Sequence, residues 1–213
     1  MEAHPKSNAP SLGEIVEAST TQFRAVATET FSPPAFGSFV RTTDGERTTY
    51  GVVAHVEHAS VDPSRKAIPL GRTWEQLERE QPQVRELLTT EFQALCIAYR
   101  DGWHDGPVHH FLPPVPPRVH DFVDACEPPE IVELTDDLVF IRTLGASALL
   151  VAGELIAAAV RGAAEHHPDL NGFLVRAGRE VADLYRGDYE QATAILRRFG
   201  LGTTAAKAPA RKR

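Results

Sequence analysis

The residues best suited to chemistry are four histidines that concentrate in one short stretch together with two aspartates. The members of this stretch are His104, Asp105, His109, His110, His120 and Asp121. Imidazole nitrogens and carboxylates can ligate a metal ion or exchange protons near neutral pH. Their spacing matches no standard ligand set, and a proline run separates His110 from His120. We therefore predict ordinary loop and surface histidines here, with a metal or acid–base site as the alternative.

Other titratable residues are predicted to serve structure. His166 and His167 precede Pro168 at the end of a predicted helix, where a protonated imidazole would favour the helix dipole. Four glutamates flank predicted helix faces and are expected on the solvated surface: Glu78, Glu80, Glu86 and Glu91.

Glycine-dependent catalytic motifs are missing from the sequence. There is no G-x-x-x-x-G-K-[ST] phosphate loop, no G-x-G-x-x-G after a predicted strand and no G-x-S-x-G nucleophile elbow. Such loops need glycines that other residues cannot replace. We assign no catalytic, cofactor-binding or metal-ligating residue and no cofactor, and we predict a protein that is not an enzyme.

Cysteine and charge content indicate the compartment and the class of partner. Cys96 and Cys126 each lie in an apolar stretch, so we expect buried thiols in a reducing compartment such as the cytoplasm. The net charge of −7 argues against general nucleic-acid binding. The terminal run from Lys207 to Arg213 holds four bases and no acid, and it is the one candidate for a weak nucleic-acid contact.

No secretory or membrane-spanning segment is expected. Residues 1–10 are polar, without the apolar stretch of a signal peptide. The most apolar segment, Leu144 to Val160, contains Glu154, ends at Arg161 and falls short of the roughly 20 residues needed to span a bilayer. We interpret it as a buried helix.

The elements that must position these residues begin with short strands. Alternation and turn residues predict five strands, at residues 12–18, 23–28, 39–42, 50–56 and 92–99, the last apolar on both faces and therefore central. Asp44-Gly45 predicts a hairpin turn between the third and fourth. Many short strands favour a closed barrel, since closure removes exposed edges.

One helical insertion and one proline connector interrupt this pattern. Thr73 with Gln76 forms a capping-box signature, and Pro82 can begin a second short helix. Residues 112–117 hold four prolines and predict an extended connector along the barrel surface.

The remainder of the chain has helical periodicity. Helices are predicted at 129–134, 138–144, 148–165, 170–184 and from Asp188 to a stop at Gly200. The expected fold is a small closed antiparallel β-barrel followed by an α-helical region, α+β in class. Its parts are a disordered lead at 1–11, a barrel at 12–125, a helical domain at 126–200 and a disordered basic tail at 201–213.

Short pieces of the first half carry a family resemblance. They are residues 13–20 (GEIVEAST), 33–40 (PPAFGSFV), 50–53 (YGVV), 62–65 (DPSR), Pro82 leading into 87–92 (LLTTEF), and 112–122 (LPPVPPRVHDF). Over residues 12–125 this resembles the HAS barrel, the small barrel ahead of the motor in HerA-type DNA translocases, which is related to the barrel of rotary ATP synthase subunits.

The resemblance implies an interaction role. In that family the barrel is not catalytic: it forms a collar on a hexameric ATPase and mediates assembly or docking of a nuclease such as NurA. Here helical segments follow instead of the motor core, so ATP hydrolysis is not implied. Only fold and interaction carry over; Gly13, Gly37 and Gly51 fit turns and close strand approach.

Three hypotheses follow. The first is an accessory module that docks on a HerA-type ATPase or NurA-type nuclease in DNA processing or repair. The second is a small metal-dependent or hydrolytic enzyme that uses residues 104–120. The third is DNA binding through the basic tail. The sequence assigns no oligomeric state.

Overall fold

The chain forms two compact units, which divide between Glu127 and Pro128. The computed structural model describes residues 11–62, 64, 68–102, 106–147, 149 and 151–200. The predicted boundary between residues 125 and 126 lies two residues earlier. Residues 1–10 of the predicted lead and all of the predicted tail, 201–213, lie outside the described residues.

Seven strands lie in the described residues of the first unit. They are β1 (Gly13–Ala18), β2 (Gln22–Ala27), β3 (Phe39–Thr43), β4 (Arg47–Ser60), β5 (Leu88–Asp101), β6 (Val108–His109) and β7 (Phe122–Ala125). All five predicted strands are present, and β4 and β5 are longer than expected, at 14 residues each. β6 and β7 were not predicted as separate strands, because each is too short for alternation to stand out.

Six of these strands close into an antiparallel barrel. The ring runs β1, β2, β5, β4, β3, β7 and back to β1, and β6 adds to the far end of β5. β7 completes the ring by pairing Val123 with both Gly13 of β1 and Thr42 of β3. Irregular register in β1 and β4 marks bulges, which increase the bend that a closed barrel needs. The predicted barrel is confirmed.

The barrel interior is filled by apolar side chains. Its ten buried residues come from every strand of the ring: Ile15, Phe23, Ala25, Ala27, Val40, Val53, Phe92, Ala94, Cys96 and Val123. Gly13 and Gly51 allow backbones to approach closely. A Cβ on Gly13 would lie 2.5 Å from the Val26 carbonyl oxygen, and one on Gly51 would lie 3.1 Å from the Leu95 carbonyl oxygen.

Turns and the connector follow their sequence signals. Gly45 (φ 91°) lies in the predicted β3–β4 hairpin and Gly37 (φ 85°) in the turn before β3, both in the left-handed region that glycine favours. Pro113 and Pro117 of the connector are buried. Cys96 and Cys126 are buried, as predicted, and neither forms a disulfide. Burial raises the pKa of the Cys96 thiol to about 12.

Two short helices lie between β4 and β5. They are α1 (Trp74–Glu80) and α2 (Gln83–Glu86). The predicted capping box is present: Thr73 Oγ1 accepts from the Gln76 N–H, and the Gln76 side chain accepts from the Thr73 N–H. Pro82 is the N-cap residue of α2, which confirms its predicted role as a helix start.

The described part of the second unit contains five helices. They are α3 (Pro128–Asp136), α4 (Val139–Gly145), α5 (Ala152–Ala164), α6 (Leu170–Leu184) and α7 (Tyr189–Arg198). α5 is the central helix: it contacts the other four and buries Leu155, Ile156, Ala159 and Val160 completely. Asp188 caps α7 by accepting from the Gln191 N–H at 2.9 Å.

One predicted helix begins in the wrong place. The apolar segment from Leu144 to Val160 is divided between two helices, because α4 ends at Gly145 and α5 begins at Ala152. The Ser147 hydroxyl donates to the Leu144 carbonyl at 2.6 Å just beyond the end of α4. Residues 149–151 are apolar and carry no stop signal, so the pattern concealed the break. Residues 148 and 150 lie outside the described residues.

Candidate functional site

The histidine-rich stretch does not assemble into one site in the described part of the chain. His104 and Asp105 lie outside the described residues. The His109 ring stacks on Tyr99, with centroids 4.8 Å apart, and also contacts Phe111. The His120 ring instead pairs with β1, since its Nδ1 lies 2.6 Å from Glu14 Oε1.

Metal ligation has no geometric support among the described residues. Within them, no three His, Cys, Asp or Glu side chains lie close enough together to hold an ion. His109 is committed to an aromatic cluster and His120 to a carboxylate. Within the described residues 106–120, His109 packs against aromatic rings and His120 lies at the surface beside a carboxylate.

Asp121 is the titratable residue of this stretch with the most unusual environment. Burial, followed by the nearby charge of Asp44, raises the pKa of its carboxyl, while Arg118 opposes this. Its Oδ2 is buried without a hydrogen-bond partner. The preceding residue, His120, has φ 75°, a conformation that is uncommon outside glycine.

The expectations for the remaining titratable residues need two corrections. Burial lowers the pKa of His167, which therefore favours the neutral ring and not a charge on the helix dipole. Glu91 is not simply solvated: its side chain is 23% exposed and pairs with Arg24 at 3.5 Å, because it lies within β5. Glu78, Glu80 and Glu86 lie on exposed helix surface, as expected.

A concave apolar surface of the barrel unit is formed by the helical insertion. It encloses about 710 Å³ and is here named the insertion groove. Its apolar lining comes from the end of β4, the segment before α1, both short helices and the start of β5: Val61, Ile68, Leu70, Trp74, Leu77, Val84, Leu87 and Leu88.

Local sequence signals explain how the groove forms. The Thr73 capping box starts α1 so that Trp74 and Leu77, three residues apart, share one face. The β4–β5 ladder continues past the barrel, and the Val61 N–H donates to the Leu87 carbonyl at 3.0 Å. Ile68 and Leu87 remain 76% and 59% exposed, although burial of such side chains is favourable.

A strained residue, Phe31, contacts Trp74 of the insertion groove. Phe31 has φ 69°, and its ring makes edge contacts with Trp74 and His58, with centroids 4.8 and 4.9 Å away. The Phe31 N–H donates to Thr90 Oγ1 at 2.9 Å, and that hydroxyl also contacts His58 Nδ1 at 2.8 Å. Such strain costs about 1–3 kcal/mol and recurs at functional sites.

Among the described residues, the charged side chains that line the groove are Asp62, Arg72 and Glu86, which is a slightly acidic set. Arg72 is neutralised by an ion pair with Glu80, and Arg85 lies 3.8 Å from Glu78. Glu86 lines the groove and makes no ion pair or hydrogen bond within the described residues. A partner with apolar anchors and a basic flank would therefore complement this edge.

The insertion groove was not predicted from the sequence. Two short helices were predicted there, the first with a capping box, and their glutamates were expected on the solvated surface. A usable signal was present, because Ile68, Leu70, Trp74 and Leu77 supply large apolar side chains to a segment with no other core to enter. Their convergence into one surface depends on how the segment folds back on β4 and β5.

Two comparisons with known proteins found no match. No protein-family model matches the chain, and no curated protein matches it. The resemblance to the HAS barrel stays a prediction. Among the described residues, every helix is too short or too polar to cross a bilayer.

Proposed function

We propose that this protein is a non-catalytic interaction module that docks on a HerA-type hexameric DNA translocase through the insertion groove. The observation that carries the proposal is the exposed apolar lining of that groove, since contiguous apolar surface on a soluble domain marks a contact site. The barrel interior is filled by side chains, so its outside is the surface available for recognition.

The partner segment would be an amphipathic helix or strand with large apolar residues and a basic flank. Its apolar residues would fill the space beside Trp74 and Leu87, and its basic flank would face Glu86. The family resemblance names the translocase as the partner, with a NurA-type nuclease as the alternative. Both partners act in DNA processing and repair, and this protein would bind either of them in the cytoplasm.

The proposal assigns no chemistry to this chain. Its role would be to regulate or complete a machine whose ATP hydrolysis or strand cleavage is carried out by the partner.

A pull-down with groove variants tests this function. Tagged protein would be recovered from its native cells at low salt, as wild type, as Leu87→Glu and as Ile68→Glu. Both substituted side chains are exposed, so folding should be retained. We expect an identified translocating ATPase or nuclease with the wild type and little with either variant, since a buried carboxylate opposes an apolar contact.

The matched control is Val119→Glu, which places the same charge on an exposed apolar residue outside the groove. It should recover the partner as well as the wild type does. Absence of any ATPase or nuclease, or equal recovery with the groove variants, would reject the proposal. A self-association that Leu87→Glu abolishes would assign the groove to a second copy of this chain instead.

A further inference from the structure

The helical unit contains a pocket with several charged lining residues that the interaction role does not use. It encloses about 430 Å³ beside the end of α3 and the first half of α6. That volume is within the range of sites for small molecules. Its functional lining combines one imidazole, two guanidinium groups, two carboxylates and an aromatic ring: His167, Arg176, Arg179, Asp136, Asp169 and Phe173.

His167 is held in one tautomer by a buried hydroxyl. Thr135, fully buried, donates its single hydroxyl proton to the Ile131 carbonyl at 2.6 Å. Its contact with His167 Nε2 at 2.8 Å must therefore be one in which Nε2–H donates. The neutral ring then carries its proton on Nε2 and a free lone pair on Nδ1.

The surroundings of His167 favour that neutral form. Burial is the main cause of its lowered pKa, the positive charge of Arg176 and the adjacent His166 act in the same direction, and Asp136 opposes them. The ring also stacks on Phe173, with centroids 4.0 Å apart and planes 12° from parallel. Nδ1 has no hydrogen-bond partner among the described residues, so it remains able to accept one.

The two arginines supply unused donors one turn apart on α6. Arg176 reaches the carbonyl and carboxylate of Asp136 at 3.3 and 3.4 Å, which are long contacts. Arg179 makes no ion pair or hydrogen bond with any described residue. A guanidinium carries five N–H donors in a planar fork that matches carboxylate and phosphate oxygens.

The Asp169 carboxylate makes no ion pair with either arginine among the described residues. Asp169 caps α6, and its Oδ1 accepts from the Gly172 N–H at 2.9 Å.

We propose that this pocket binds a small organic anion that also carries a hydroxyl group. Arg176 and Arg179 would hold its carboxylate or phosphate, and its hydroxyl would donate to His167 Nδ1. A bare anion satisfies the arginines but has no proton for Nδ1, so the ligand needs both groups. Phe173 fixes the imidazole plane and thus the direction of that hydrogen bond.

Ligand titration of the full chain, followed by side-chain NMR of its histidines, tests the proposal. The probes are glycolate, which has a carboxylate and a hydroxyl, acetate, which lacks the hydroxyl, and inorganic phosphate. We expect a saturable shift of His167 Nδ1 with glycolate or phosphate at a Kd of about 1 mM or below. Acetate should bind several-fold more weakly.

Substitution of Arg179 distinguishes specific binding in the pocket from weak association of the probes with surface charge. Arg179→Gln should weaken binding roughly tenfold or more, because it removes a charged hydrogen-bond donor. Arg186→Gln is the matched control: it removes an exposed guanidinium that pairs with Asp183 away from the pocket, and it should leave the Kd unchanged.

The relative affinities of the probes identify the class of ligand. Tighter binding of glycolate identifies a hydroxycarboxylate as the ligand class, and tighter binding of phosphate identifies a phosphorylated one. No saturable shift with any probe, or a shift that Arg179→Gln leaves intact, would overturn the proposal. Neither result bears on docking through the insertion groove, because the groove belongs to the other unit.

Discussion

At the scale of single residues, surroundings decide what each histidine does. His109 packs on an aromatic ring, His120 faces a carboxylate, and His167 is fixed between a buried hydroxyl and Phe173. These are three different roles for one residue type. Only the last combines a defined tautomer with a pocket.

Replacement of Asp121 by asparagine should change the pH dependence of stability. The folded pKa of this carboxyl is raised above its ordinary 3.8, so the native state holds the proton more firmly than the unfolded state. Its contribution to stability is then present in acid and is lost as pH rises through the folded pKa. Asp121→Asn should remove that loss and stabilise the protein at neutral pH.

Urea unfolding at mildly acidic and neutral pH measures this effect. Asp183→Asn, at an exposed surface carboxyl, is the control and should change the midpoint little at either pH. A variant at residue 121 that keeps the wild-type pH slope, or that is less stable at neutral pH, would contradict the expectation.

The same Gly→Ala change should have opposite effects at two positions. At Gly13 the new Cβ would lie 2.5 Å from the Val26 carbonyl and 2.8 Å from the Phe92 ring, so we expect a loss of about 1–3 kcal/mol. At Gly162, inside α5, nothing lies within 4 Å, and alanine should stabilise by about 0.5–1 kcal/mol. Thermal unfolding of both variants measures the contrast; equal midpoints would argue against a tight β1–β2 contact.

At the scale of elements, short local signals begin helices and long-range pairing closes the sheet. The capping box at Thr73 and the cap at Asp188 are each complete within four residues. β7, with four residues, is instead stabilised by neighbours on both sides, β1 and β3. The insertion groove depends on both kinds of contact.

Removal of the α7 cap should destabilise the helical unit. Asp188→Ala deletes the acceptor for the Gln191 N–H and should cost about 1 kcal/mol. Asp188→Asn keeps an acceptor of similar capping strength and should cost little. Chemical denaturation followed by circular dichroism compares the two, and an equal cost for both would show that charge and not the cap bond is what matters.

At the scale of the whole molecule, charge limits the choice of partners. Residues 1–127 carry 11 basic and 18 acidic groups, and residues 128–213 carry 11 of each. A barrel unit with this balance repels a phosphate backbone and suits a basic protein surface.

Any affinity for DNA should come from the basic residues between Lys207 and Arg213, and it should depend on salt concentration. Four bases in the run from Lys207 to Arg213 predict a salt slope of about −3.6, or a roughly 100-fold loss between about 50 and 200 mM salt. Fluorescence anisotropy with labelled duplex DNA, on the full chain and on a chain ending at residue 206, measures this. Affinity that survives truncation would place DNA binding elsewhere on the protein.

Much of the fold was predictable because its signals are local. Alternation, apolar runs and turn residues located five strands, the Asp44-Gly45 turn located one hairpin, and 3.6-residue periodicity located α6. The break between α4 and α5 was not predictable, since apolar residues continue through it. Val151, the N-cap residue of α5, also makes no side-chain capping hydrogen bond. The candidate site was predicted poorly. Residues 104–120 were the only candidates for a metal or acid–base site, and the insertion groove was not predicted.

The amino-acid sequence by itself determined five of the described strands, the turns, the helix caps at Thr73 and Asp188 and the buried thiols, because each depends on neighbours within a few residues or on apolarity alone. Only the tertiary structure decided that β7 closes the ring, that the insertion presents an apolar groove beside Phe31, and that His167 meets Thr135 and Phe173. The physical reason is that these features join residues far apart in the chain. Which distant partners meet depends on packing the whole core, and no local pattern encodes it.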